Sequence, residues 1–251
     1  LIYTLYFCEI RIKLMTKLSV NINKIATLRN SRGGNVPDFL KVARDIQQFG
    51  AQGITIHPRP DERHIRYQDA RDLKSVVYTE YNIEGNPQHN FIDLVLECKP
   101  TQVTLVPDAI GALTSNAGWD TIKHQSYLTE VIQEFQRNGI RTSIFVDADE
   151  KMIEGAKATG TERIELYTES FAHEYGLGNK NGIKPFIKAA IKANELNIGI
   201  NAGHDLSMDN IKFFKENIPN LLEVSIGHAL ISESLYLGLE NVVNMYLQKL
   251  K

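Results

Sequence analysis

Cysteine is nearly absent from this chain. Two residues in 251, Cys8 and Cys98, are too few for a disulfide framework or a zinc cluster. The chain therefore reads as one kept reduced inside the cell, with a cytoplasmic location expected. No stretch reaches 18 apolar residues, so no membrane span is expected. An excess of one charge is also missing. Against 28 basic residues stand 30 acidic ones, and with no basic stripe a nucleic-acid partner is not expected. There is no G-x-G-x-x-G turn, which removes the main support for dinucleotide binding, and neither H-E-x-x-H nor H-x-H spacing, so no metal is expected. No low-complexity linker divides the chain. What is present is a globular composition, 43% hydrophobic and 23% charged, long enough to bury a core without staples.

Residues 1–8, LIYTLYFC, are too short for a span and lack the order of a signal peptide. We expect residues 1–14 to be an upstream extension, the natural chain to start at Met15, and residues 15–251 to form a single domain.

From residue 18 onward one pattern repeats: a short β-branched run, a polar cluster, then a helical stretch. The runs are 18–22, 53–57, 79–83, 102–106, 140–146, 163–167, 197–202 and 222–226. Several show little polar alternation, which suits parallel strands covered on both faces. Between them, Phe39 to Phe49 follow Pro37, a good first-turn residue, and Gly50 can end that helix. Phe91, Leu94, Val95 and Cys98 mark a second stripe and place Cys98 in the core. Ile122 to Phe135 form another, stopped near Gly139, and Leu235 to Leu250 form the last. Strand ends recur about 29 residues apart, close to one βαβ unit. Eight such units predict an α/β fold, a TIM (β/α)8 barrel.

In that fold the active site lies at the C-terminal ends of the strands. Asn21 and Asn23 fall there, then His57, Arg59 and His64, then Asn82 and Glu84. Asp108 and Thr114 follow the fourth strand, Asp147 and Asp149 the fifth, Glu165 and Thr168 the sixth. Gly203-His204 and Gly227-His228 close the series. Five of seven histidines (57, 64, 173, 204, 228) occupy such positions. His57 and His204 can exchange protons near neutrality, and Glu84 can act as a base if burial raises its pKa. Gly203 and Gly227 let backbone amides approach a ligand, while Arg59 and Arg32 suit an anion clamp. The set reads as a site for small phosphorylated metabolites worked on by acid–base chemistry. Each member also has a structural reading. Glu165 and Asp147 can pair with a barrel cation, and Asp149 can cap a helix. The stretch 61–72, DERHIRYQDARD, reads mainly as charge on a surface segment.

Val20-Asn21-Ile22, Ile25 to Asn30 with Arg32-Gly33, and Gly53 to His57 resemble the pyridoxine 5′-phosphate synthase family. So do Asp61-x-Arg63-His64-Ile65, Asn82-Ile83-Glu84, Leu105-Val106-Pro107, Phe145 to Asp149, Asn201 to His204 and Ile226 to Ala229. The resemblance covers about 18–231. It implies a TIM barrel condensing 1-deoxy-D-xylulose 5-phosphate with 3-amino-2-oxopropyl phosphate, without metal or organic cofactor, as a homo-octamer. It implies His57 and Glu84 as proton acceptors and His204 as proton donor. It also implies Asn21, Arg32, Arg59, His64, Thr114, Gly227 and His228 as ligand contacts.

The sequence departs from the family pattern twice. Asn23-Lys24 stands where Asp-His is common, so Asn23 and Lys24 are candidate substrate contacts of altered chemistry. Asp205 stands where glycine is common; it is a further candidate contact, and its side chain can orient His204 or cap the next helix. Two other functions stay open. One is a different phosphosugar lyase, aldolase or epimerase, which Lys24 keeps alive. The other is a non-catalytic phosphometabolite binder.

Overall fold

Side chains with period two decide how the strands sit. In Leu18-Ser19-Val20-Asn21-Ile22 the apolar residues are fully buried under helices, while Ser19 shares a 2.7 Å hydrogen bond with Thr55 of the next strand. A computed structural model describes residues 15–108 and 115–251. Residues 1–14 and Thr114 lie outside the described residues, as does most of the turn after the fourth strand.

The strands are β1 (Lys17–Asn21), β2 (Gly53–Ile56), β3 (Glu80–Gly85), β4 (Gln102–Leu105), β5 (Arg141–Val146), β6 (Arg163–Tyr167), β7 (Gly199–Gly203) and β8 (Leu221–Ile226). All pair in parallel in sequence order, and β8 returns to β1, so the barrel is closed. The expected TIM barrel is the fold found. The helices are α1 (Asn23–Asn30), α2 (Phe39–Gln48), α3 (Tyr67–Leu73), α4 (His89–Cys98), α5 (Gln125–Arg137), α6 (Glu150–Ala158), α7 (Glu169–Gly176), α8 (Lys184–Glu195), α9 (Ile211–Asn217), α10 (His228–Leu237) and α11 (Leu239–Lys249). None of them is long and apolar enough to cross a membrane.

Local chemistry sets the helix ends. Asp38 caps α2, accepting from the Lys41 amide at 3.0 Å, so Pro37 precedes the cap rather than opening the first turn. Gly50, at φ +104, lies just past the end of α2. Asp149 caps α6, which decides between its two readings. Two expected helices begin later than their apolar stripes. Ile122 is 54% exposed, ahead of α5. The last stripe is two helices, because Gly238 at φ +83 breaks it and leaves Leu235 exposed on α10.

The barrel interior is polar, contrary to the expectation of weak alternation. Asn82 donates to Thr55 and accepts from Thr104, and Gln102 donates to Thr104 and accepts from Arg141. Arg163 donates to Asn201, which donates to Glu223. Except for Gln102 to Thr104 within β4, these bonds run from strand to strand across the inside. Satisfied partners make such a core tolerable and fix its register. At the closed end Glu80 is the hub, paired with Arg141, with Lys17 at 3.3 Å and with Arg163 at 3.8 Å. Removing its charge weakens the pairing of both arginines, which keep Gln102 and Asn201 as partners, so Glu80→Gln is expected to lower unfolding free energy by about 2 kcal/mol. Urea denaturation measures this, and an unchanged midpoint would make the hub dispensable.

Candidate active site

A cavity of about 500 Å³ opens at the C-terminal ends of the strands. Eleven of the thirteen candidate residues line it: Asn21, Asn23, Lys24, His57, Arg59, His64, Glu84, His204, Asp205, Gly227 and His228. Arg32 does not; it is exposed in the turn after α1. Four of the five strand-end histidines meet in the cavity, whereas His173 is exposed on α7. Val106, Ser115, Phe145, Glu165 and Ser225 complete the lining.

The turn after β1 sets the near wall. Asn21 accepts from the Asn23 amide at 3.1 Å and donates to Glu84 Oε2 at 3.4 Å. The Asn23 side chain accepts from the backbone amide of His57 at 3.0 Å, tying α1 to the end of β2. Lys24 stays exposed at the rim. Below it, Arg29 makes a bidentate pair with buried Asp69, at 2.7 and 2.8 Å. That pair corrects the reading of 61–72 as surface charge, since Asp69 is buried and joins α3 to α1. Arg63 and Arg71 do pair at the surface, with Asp61 and Glu97. Arg29 and Asn30 both donate to the His64 carbonyl, which holds His64 against the cavity. Burial first, then Arg59 and Lys24, bring His64 down to about 4.

His57 and Glu84 are the buried pair. His57 Nδ1 lies 3.9 Å from Glu84 Oε2, and its Nε2 lies 3.5 Å from Asp108 Oδ2. Burial, then Arg59, His64 and His204, bring His57 down to about 3, so its imidazole is neutral. Burial also lifts Glu84 well above the usual carboxylate range, reinforced by Glu165, Asp108 and Glu223 and opposed by a hydrogen bond with Ser225. Burial thus disfavours the charged form of both members of the pair.

Glu165 belongs to this group. Burial pushes it up to about 7, with His204 and a Thr104 hydrogen bond opposing. It lines the cavity, which sets aside the expectation that it pairs with a barrel cation. A Cβ at Gly203 would stand 2.5 Å from its carboxyl oxygen, so the glycine leaves room for the acid. Asp147 accepts from the Gly118 amide at 3.3 Å and pairs with no barrel cation among the described residues.

On the far side His204 sits at φ +84, with Nδ1 2.5 Å from Asp205 Oδ2 and its ring against the edge-on face of Tyr167. Asp205 therefore meets His204 and does not cap α9. Gly227 precedes α10, and a side chain there would crowd Asn21 at 3.1 Å. The start of that helix, Gly227 and His228, lines the cavity, and a helix N-terminus suits an anion. Among the described residues no group of three His, Cys, Asp or Glu side chains is placed to hold a metal.

The barrel resembles solved structures of phosphoribosylanthranilate isomerase from Thermotoga maritima, with TM-score 0.60, 14% identity and 94% of this chain and 98% of that one covered. It also resembles 3-keto-L-gulonate-6-phosphate decarboxylase from Vibrio cholerae, with TM-score 0.63, 8% identity and 94% and 99% covered. At such identities these likenesses concern the fold alone. Sequence relatives are far nearer. The pyridoxine 5′-phosphate synthase of Flavobacterium johnsoniae is 84% identical over 237 residues, 94% of this chain and all of the relative. That of Christiangramia forsetii is 68% identical over the same span. The family model described as pyridoxal phosphate biosynthesis protein PdxJ matches residues 18–251. This barrel, with its buried carboxyls and neutral histidine at the strand ends, belongs to the PdxJ family of pyridoxal phosphate biosynthesis proteins.

Proposed function

We propose that the chain makes pyridoxine 5′-phosphate by condensing 1-deoxy-D-xylulose 5-phosphate with 3-amino-2-oxopropyl phosphate, releasing phosphate and water. Family membership supplies the synthase activity. The two substrates are those that the sequence resemblance implies. The observation that carries the reading is the buried Glu84, its charged form disfavoured, beside the neutral His57, sharing one cavity with Glu165 and His204. Imine formation, enolisation, dehydration and ring closure each move a proton, and this set can both take and return them.

His57 and Glu84 act as proton acceptors, Glu84 after passing its own proton on, and His204 acts as the donor to departing oxygen. Two anion seats flank β1. Arg59, His64 and Lys24 form one, and the α10 start at Gly227 and His228 forms the other. Asn21, between them, holds the Glu84 carboxyl. Arg32 and Thr114 enter only as contacts implied by the resemblance. Schiff-base aldolase chemistry needs an enclosed lysine, whereas Lys24 is exposed.

The test is purified protein mixed with both substrates. Pyridoxine 5′-phosphate and released phosphate, followed by mass spectrometry and colorimetry, are expected at equal rates. Substrate binding in a calorimeter with neither product formed would replace the synthase with a binding protein or a different substrate pair. Assembly as a cytoplasmic homo-octamer is proposed on the same resemblance. Light scattering is expected to give a mass about eight times 28.4 kDa, and a monomer peak would reject it.

A further inference from the structure

One buried carboxylate at the mouth has no part in the chemistry above. Asp108 follows β4, and its side chain is 7% exposed. A single oxygen, Oδ2, meets three groups: Arg59 Nη2 at 2.7 Å, Ser115 Oγ at 3.0 Å and His57 Nε2 at 3.5 Å. The Asp108 carbonyl accepts from Asn86 at 3.0 Å, which anchors the backbone to the turn after β3. One oxygen thus joins an anion-binding arginine to an acid–base histidine.

We propose that Asp108 is a positioning residue that couples phosphoryl binding at Arg59 to the proton affinity of His57. In the resting enzyme the guanidinium draws the Asp108 charge to itself. An arriving phosphoryl group carries more charge and more acceptor oxygens than a carboxylate, so it competes for the same fork. Once Arg59 turns to the phosphoryl, Asp108 is left with the His57 Nε2–H. That bond supports an imidazolium, with Nδ1, toward Glu84, as the nitrogen that takes up the proton.

The charges around His57 favour this exchange. Arg59 and His64 face it from the segment after β2, His204 from β7, Glu84 from β3 and Asp108 from the end of β4. Burial disfavours the charged form of Glu84, so it offers little compensation. Burial and the cations keep the resting imidazole a poor base. A bound phosphoryl group neutralises the nearest cation and releases the nearest carboxylate together. The base is therefore armed only when a phosphorylated substrate is seated, which protects reactive amino ketones from idle proton transfer.

The role given to His57 rests on the synthase reading, whereas the exchange at Arg59 does not. The experiment uses the full chain and Asp108→Asn, with inorganic phosphate as the probe at fixed ionic strength. In calorimetry the variant is expected to bind phosphate at least threefold tighter, because Arg59 has lost one internal competitor. Its kcat is expected to fall tenfold or more. A residue needed only for packing would weaken both. Weaker or unchanged phosphate binding, or an unchanged kcat, overturns the proposal.

A second measurement needs no variant at residue 108. In the parent protein with ¹⁵N-labelled histidine, saturating phosphate is expected to raise the titration midpoint of His57 by one pH unit or more. An unmoved midpoint overturns the proposal even if Asp108→Asn fails to fold. If the phosphate effects hold while the two proposed substrates give no product, the substrate assignment fails and the coupling stands.

Discussion

Glu84→Gln is expected to cut turnover by roughly 10³-fold or more and to leave the barrel folded. The side chain is buried and its charged form is disfavoured, so the amide is a neutral replacement of nearly the same shape. Asn21 still finds an oxygen to donate to, and the cost to stability is expected to stay below about 1 kcal/mol. The amide cannot release or regain a proton, so kcat is expected to fall by roughly 10³-fold or more, within the range for lost acid–base catalysis. Full activity in the variant would take Glu84 out of the mechanism.

The same substitution has a pH signature in stability. A carboxyl whose folded pKa is raised binds its proton more tightly in the folded chain than in the unfolded one. Its contribution is present in full below the ordinary carboxylate range and is lost as pH rises through the folded value. Glu165 and Glu223, both near 7, act in the window from about 4.5 to 7, and Glu84, also raised, acts with the same sign. His57 and His64, lowered to about 3 and 4, act with the opposite sign, losing stability as pH falls below 6.5. Thermal melts from pH 5 to 8 are therefore expected to decline more steeply in the parent than in Glu84→Gln. Parallel curves would mean that Glu84 is not held protonated.

The barrel was legible because each unit signals itself: Ile54-Thr55-Ile56-His57 and Ile164-Glu165-Leu166 read as strands, and Gly50 and Gly139 mark helix ends. The mouth was legible because the fold places strand C-termini together, so Asn21, His57, Glu84 and His204 could be gathered without any contact being known. The inward face was harder to read. Glu80, Arg141, Arg163 and Glu223 look like solvated charges until closure of the sheet turns them toward one another. Glu165 was visible as a strand-end acid, but its place in the cavity depends on closure of the sheet and on the room left by Gly203. Asp69 lay in a run of surface-like charge, and its partner Arg29 is 40 residues away. Arg32 matched a family position, yet its place in this chain is a solvent-facing turn. Pairing between distant residues is set by topology, which local patterns carry only weakly.

His204→Ala is expected to lower kcat roughly 100-fold or more, with kcat/KM falling in parallel, as for a group that acts in the transition state. The geometry separates this loss from any effect on folding. His204 holds φ +84, a left-handed conformation that costs a β-carbon residue about 1 kcal/mol, and it is kept there between the end of β7 and Asp205. Alanine bears the same strain, so the backbone has no new reason to move. Asparagine and glycine bear less, so His204→Asn and His204→Gly are expected to melt at or above the parent temperature while losing the same activity. A fold that tightens as its chemistry disappears marks a strained residue retained for its imidazole. An unaffected kcat in His204→Ala would end its role as donor. Variants that melt well below the parent would instead make the contact with Asp205 a structural tie.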